Sequence, residues 1–200
     1  MRRTLSQLAI ANQSQNDRLN RKAAARTVRG RDFSRRISTM KGNVRIIDTL
    51  NKLLTDELSA ADQYFIHSRM YENWGFQALY HRIEHERVEE LEHASRLIRR
   101  ILFLEGVPDV QSRAALKIGS TVPEMLKSDL DYELAVVKNL KDAIALCEEE
   151  RDYDTRRILT GLLYDTEEDH TLWLEQQLRL IGLVGIENYL QSAMDEGDRS

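Results

Sequence analysis

Six ionisable residues, Glu57, Glu90, His93, Glu133, Glu167 and His170, fall where apolar residues are expected. Glu57 lies between Leu53/Leu54 and Ala61/Tyr64, and Glu90 and His93 lie between Ile83 and Leu97. Glu133 sits between Leu130 and Val137, and Glu167 and His170 sit between Leu163 and Leu174. A carboxylate taken out of water without a partner costs several kcal/mol or takes up a proton. Six such groups in one small core call for a counter-charge, and a divalent cation supplies it most efficiently. Four carboxylates balance two divalent cations, and two imidazoles complete an oxygen and nitrogen donor set. That set suits iron or manganese better than copper or a thiophilic metal. Open positions on an iron pair would let dioxygen bridge the metals and take electrons.

One Glu-x-x-His alone carries little weight. With 33 acids in 200 residues, any His has about a one-in-six chance of an acid three positions before it. Here two of the five His have Glu at that position, and each Glu-x-x-His is mirrored by a further Glu. Glu57 and Glu90 are 33 residues apart, with their midpoint at Asn73-Trp74; Glu133 and Glu167 are 34 apart, with theirs at Glu150. In an antiparallel helical hairpin, residues equidistant from the turn share one height. Both hairpins therefore present Glu opposite Glu-x-x-His at mid-bundle, and residues i and i+3 share a helix face. The arrangement matches the pattern already recognised in ferritin-like di-iron carboxylate bundles.

The elements that must hold these residues are helices. Ile46, Leu50, Leu53, Leu54, Leu58, Ala61, Tyr64 and Phe65 recur at steps of three and four. After Asn73-Trp74-Gly75 a second stripe follows: Leu79, Ile83, Ala94, Leu97, Ile98, Ile101 and Leu102. Gly106-Val107-Pro108 stops it, and residues 104–120 read as a connection without a period. Thr121 and Glu124 flank Pro123 as a capping box for a third helix through Leu126, Leu130, Leu134, Val137, Leu140 and Ile144. Asp152 or Asp154 caps a fourth through Leu159, Leu163, Leu174 and Leu178, ended by Gly182 and Gly185. A short helix near Ile186–Met194 completes an all-α chain: a four-helix bundle with one long crossover and a small fifth helix.

Composition agrees with that reading. Apolar residues make up 42% and charged residues 31%, with two prolines and nine glycines. Cys147 stands alone, so neither a disulfide framework nor a cysteine zinc site can form within the chain, which suits a reducing cytoplasmic setting. No apolar run approaches the roughly 20 residues of a membrane span. Residues 1–39 hold ten Arg or Lys against Asp17 and Asp32, a balance of +8, which leaves about −12 on residues 40–200. This basic stretch reads as a flexible arm preceding the domain at 40–200. Three readings of it stay open: sequence upstream of a start at Met40, a surface tail, or an arm that binds nucleic acid.

Longer runs carry a family resemblance. Met40-Lys41-Gly42-Asn43, Leu53-Leu54-Thr55-Asp56-Glu57-Leu58 and Asp62-Gln63-Tyr64-Phe65-Ile66-His67-Ser68-Arg69-Met70 resemble bacterioferritins. So do Arg100-Ile101-Leu102-Phe103-Leu104-Glu105-Gly106 and Glu187-Asn188-Tyr189-Leu190-Gln191. The similarity covers nearly all of residues 40–200. It implies a ferritin-like bundle assembled into a hollow shell of two dozen subunits that oxidises Fe(II) with oxygen or peroxide and stores a ferric mineral. The family's ferroxidase ligands, which are also its catalytic residues, fall on the same six positions. His85 and Glu89 match positions where some members bind iron on the inner surface, although the second is often Asp in the family.

The chain departs from the family at haem. Bacterioferritins hold haem b at a two-fold interface through a Met from each subunit, directly after the helix-two Glu ligand. That position is Leu91, which has no donor atom, and no Met occurs in residues 75–103. The resemblance is therefore to a haem-poor subunit, working as a homo-oligomer or in a mixed shell with a haem-binding subunit. Two rivals share parts of this evidence. A di-iron oxygenase or peroxidase would use the same ligands, but the chain has no Cys-rich rubredoxin-like segment. A DNA-protecting cage would depend on the arm more than on the six ligands.

Overall fold

The computed structural model describes residues 41–194, all helix and connection with no strand among the described residues. The expected arm, residues 1–39, lies outside them. Helix α1 (Val44–Trp74) and helix α2 (Gln77–Phe103) form the first hairpin. Asn43 caps α1, its side chain accepting from Arg45 N at 2.8 Å. Gly75 ends α1 at φ +83°, a left-handed turn that glycine adopts without steric cost.

Helix α3 (Val122–Glu149) opens the second hairpin. Thr121 caps it, but Glu124 reaches Ser120 N at 2.9 Å and Ser120 Oγ at 2.6 Å, one residue before the expected box. The return limb is one helical rod in three parts: α4 (Tyr153–Asp165), a π-helical turn (Thr166–Thr171) and α5 (Leu172–Val184). Asp152, rather than Asp154, accepts from Thr155 N at 3.0 Å to cap α4. Gly182 lies inside α5, and Gly185 at φ +80° ends it before α6 (Ile186–Ala193). Among the described residues, no helix is long and apolar enough to cross a membrane.

A polar edge of α1 directs the crossover from α2 to α3. Asn51 donates to Val107 O at 3.1 Å and accepts from Asp109 N at 2.8 Å. Farther along, Ser59 Oγ accepts from Ala114 N and Gln63 Oε1 from Lys117 N, at 2.8 and 3.0 Å. The connection thus travels along α1, so α3 starts at the opposite end from where α2 stops. Both hairpins are antiparallel, and the crossover brings their midpoints to one level.

The apolar core forms two clusters along the bundle. One gathers Ile46, Leu50, Leu53, Leu54, Leu97, Ile101, Leu140, Leu159 and Leu162, with buried Cys147 as a core residue. The other gathers Tyr64, Tyr71, Leu79, Ile83, Met125, Leu126, Leu130 and Leu174. Three residues of the expected stripes, Phe65, Leu102 and Leu134, are instead exposed. Each neighbours the stripe by one position, at the edge of its apolar face.

Arg100 ties the two hairpins together near the first cluster. Its guanidinium donates to Thr155 Oγ1 and Asp152 Oδ1, both at 2.7 Å, and to Asp154 at 3.1 Å. The Phe103 ring lies 4.9 Å from it. Arg100→Ala removes the cation and leaves the buried Thr155 and the largely buried Asp152 without it. The cost should be about 2 kcal/mol, reduced because Asp154 is exposed. Chemical denaturation of wild type and variant measures it; a change within a few tenths would show that the carboxylates are solvated independently.

Candidate metal centre

Between the two apolar clusters lies a polar layer. Glu57 on α1, Glu90 and His93 on α2, Glu133 on α3 and His170 on the π turn all meet there, none more than 3% exposed. Their donor atoms form two triads, Glu57–Glu90–His93 and Glu90–Glu133–His170, each with all three atoms within 4.8 Å of one another. Glu90 belongs to both. His93 Nδ1 lies 3.5 Å from Glu57 and 3.4 Å from Glu90, and His170 Nδ1 lies 2.9 Å from Glu90 and 3.8 Å from Glu133. The imidazoles stack at 5.8 Å, so the two triads stand side by side.

Glu167 is placed apart. It is 40% exposed and paired with Lys141 Nζ at 2.5 Å. The reason is local winding. In an α-helix, residues i and i+3 lie about 60° apart around the axis. The i→i+5 bonds of the π turn open that angle, and with His170 turned inward Glu167 faces outward.

His85 is exposed on α2 and Glu89 is half-buried beside His170, with His85 Nε2 3.6 Å and His170 Nε2 3.3 Å from Glu89. Glu89 also joins Glu86, Asp169 and His170 in a third group, whereas His85 does not.

Several residues around the centre escaped the sequence reading. The Tyr64 hydroxyl donates to Glu133. Asp129 is fully buried, accepting from Gln63 Nε2 at 2.8 Å and contacting His67 Nδ1 at 2.8 Å. Glu86 is buried one turn before Glu90, and Asp165 Oδ2 lies 3.4 Å from His93 Nε2. Helical spacing held the signal for Glu86 and Asp129, each four residues before a chosen Glu. Nothing in the sequence singled out Asp165, which comes from another helix.

The electrostatics match a site built for cations. Burial raises Glu57 well above the carboxylate range, and the Glu90 charge pushes the same way. Burial likewise raises Glu133, with Glu90 adding to it. For Glu90, burial opposes ionisation, but contacts with Glu57, His170 and His93 outweigh it and hold it low. Burial disfavours the His93 cation, yet Glu57 and Glu90 lift it to about 10. His170 is raised in the same manner by Glu133, Glu86, Glu89 and Glu90. Both Glu57 oxygens, one Glu90 oxygen and the Nδ1 atoms of both histidines lack hydrogen-bond partners. Orphaned donor atoms converging from three elements, with Glu133 from a fourth beside them, fit a pair of oxygen- and nitrogen-ligated metal ions.

The comparisons agree. A ferritin-like domain model matches residues 47–184. A bacterial ferritin of Paramagnetospirillum magnetotacticum is 60% identical over 155 residues, covering 77% of this chain and 94% of that protein. The Synechocystis bacterial ferritin is 57% identical over 155 residues, covering 78% and 99%. A Mycobacterium leprae bacterioferritin is 41% identical over 150 residues, covering 75% and 94%. The chain belongs to the ferritin-like family, as a member of bacterioferritin type.

Metal ligands must shed their protons. The carboxylates raise His93 to about 10 and His170 above the ordinary imidazole range, and burial raises Glu57, so all three are shifted toward their protonated forms. Loading with Zn(II) should therefore release protons, and apparent affinity should climb as pH rises from neutrality toward about 10. The raised histidine also stabilises the metal-free fold below the ordinary imidazole range, and that contribution fades as pH rises through about 10. Calorimetry in buffers of different ionisation enthalpy measures proton release. A Zn(II) affinity independent of pH across the neutral range would contradict this charge arrangement.

Proposed function

We propose that the chain is an iron-storage subunit that oxidises Fe(II) to Fe(III) at a di-iron centre. The reading further includes mineral storage inside a cytoplasmic shell of two dozen subunits. The observation that carries it is the pair of buried triads joined by Glu90, which offers one carboxylate to two cations at once. Two adjacent irons can pass electrons to dioxygen or peroxide, which a single ferrous ion does less readily. Glu57 and His93 serve one position, Glu133 and His170 the other. The relatives' printed names, bacterial ferritin and bacterioferritin, support the storage role.

Glu167 completes the proposed set as a ligand recruited on metal binding. Its ion pair with Lys141 is solvent-exposed, and such pairs contribute about 0–1 kcal/mol. Breaking the pair to bring a carboxylate onto a divalent cation costs little beside the attraction gained. Replacing Glu57 or His93 by Ala should abolish rapid Fe(II) oxidation while the shell still assembles, because both irons must be held at fixed spacing. Stopped-flow oxidation with particle mass is the measurement; unchanged initial rates in either variant would sink the assignment.

Haem is a separate matter. Leu91 is 43% exposed on α2 and carries only hydrocarbon where an axial sulfur would be needed. The residue present does not fit bis-Met ligation, so a shell of this chain alone should purify nearly haem-free. Leu91→Met should restore some low-spin haem, read from absorption spectra. Stoichiometric low-spin haem in the unmodified homomeric shell would refute this part of the proposal. Haem appearing only on co-expression with a Met-bearing subunit would support a mixed shell.

A further inference from the structure

Helices α1 and α3 pack side by side, and a series of polar contacts crosses their seam. Tyr132 donates to Asp56 O at 3.0 Å, and Asn139 Nδ2 donates to the Asp56 carboxylate at 2.9 Å. The Tyr64 hydroxyl donates to Glu133. Farther along, Asp129 accepts from Gln63 Nε2 at 2.8 Å and meets His67 Nδ1 at 2.8 and 3.0 Å. The partners run Asp56, Tyr64, His67 along α1 and Asn139, Glu133, Asp129 along α3, so one antiparallel register satisfies them all. The Asp129 contacts differ from the rest: Asp129, His67 and Gln63 are all buried, and none is among the metal-ligand candidates. Stability alone does not account for them. His67 Nε2 has no hydrogen-bond partner, and burial raises Asp129 above the usual carboxylate range despite its bonds with His67 and Gln63. A buried pair of this kind is often no more stabilising than an apolar replacement of similar volume. What it can supply is selection among packings, because a misaligned packing leaves its members without partners.

Misaligned packings exist along this seam. The buried apolar residues of α1 and α3 recur at steps of three and four, so α3 displaced by one helical turn still sets apolar side chains against the α1 stripe. Such a slip moves α3 by about 5.4 Å along its axis. It would carry Glu133 out of a triad whose donor atoms lie within 4.8 Å of one another. It would also leave Asp129, His67 and Gln63 unpaired inside the bundle. We infer that His67 and Asp129, together with Gln63, are positioning residues that fix the register of α3 on α1 and thereby the place of Glu133. Gln63 Oε1 accepts from Lys117 N at 3.0 Å, so the same side chain aligns the crossover that delivers α3. The register is set without metal, whereas its consequence for oxidation rests on the di-iron reading.

A double variant of the full-length protein, His67→Leu with Asp129→Ala, replaces the pair by apolar side chains of similar total volume. Its denaturation midpoint should stay close to that of unmodified protein. In the metal-free state, hydrogen exchange followed by mass spectrometry should show its α3 amides exchanging faster. The initial rate of Fe(II) oxidation should fall about a hundredfold, since a misplacement of about 1 Å suffices for such a loss. Asp129→Asn keeps an oxygen for Gln63 and offers an N–H to the other tautomer of His67, so it should retain slow α3 exchange and most of the rate. A pair that merely supports the fold would lower the midpoint and the rate together in the double variant, and that result overturns the inference. A double variant whose α3 exchange and oxidation rate both match unmodified protein overturns it as well. Slow oxidation already in the unmodified protein would count against the di-iron reading alone, and α3 exchange would still decide the register.

Discussion

The fold is organised around burying three carboxylates and two imidazoles at one level of a helical bundle. Glu57, Glu90, Glu133, His93 and His170 together are almost completely removed from water. The layer shifts its own groups in opposite directions: burial raises Glu57 and Glu133, the surrounding carboxylates raise both histidines, and Glu90 is held low by its neighbours. This arrangement limits the cost of desolvation but does not remove it, since several donor atoms stay unpartnered. Stability must come from elsewhere, and the two apolar clusters flanking the layer are where it comes from. Helices of 31, 27 and 28 residues are long enough to carry apolar contacts on both sides of such an interruption.

The long crossover sets the relative direction of the two hairpins. A short link between α2 and α3 would make those helices antiparallel neighbours. Asn51, Ser59 and Gln63 avoid this by offering hydrogen bonds along α1 to the backbone of the passing chain. Ser59 and Gln63 are buried, so these bonds also satisfy polar groups that would otherwise be costly. The Gln63 amide reaches Asp129 as well, joining the crossover to α3 one turn before Glu133. Fold and site are thus connected by specific polar contacts as well as by packing.

Much of this was legible in the sequence because helical periodicity makes an out-of-place charge conspicuous. Glu57, Glu90, His93, Glu133 and His170 interrupt stripes whose phase is set by Leu and Ile on either side, and all five meet in the core. Glu167 was assigned by the same rule, which assumes α-helical winding throughout. The π turn at Thr166–Thr171 breaks that assumption, and no glycine or proline within it announces the break. Phe65, Leu102 and Leu134 show the related limit that a one-position shift moves a residue by about 100° and out of the core. Asp165 meets His93 across helices, and pairings between elements have no signature in a single sequence.

The centre is consequently built unevenly. Glu57, Glu90, His93 and Glu133 come from regular helices packed on both sides, whereas His170 and Glu167 come from the one turn whose winding departs from α-helical. A resident metal would favour six equally rigid ligands. Under the proposed function iron is cargo, which would impose a different requirement: each oxidised ion would have to leave before the next pair arrives. A carboxylate resting on an exposed lysine can move to the metal and back at little energetic cost. In the proposed reading, rigid Glu90 would keep the two positions at fixed spacing, while the π turn would supply the ligand that yields. In the proposed reaction, the residue most displaced from the regular pattern is therefore the one that lets the product go.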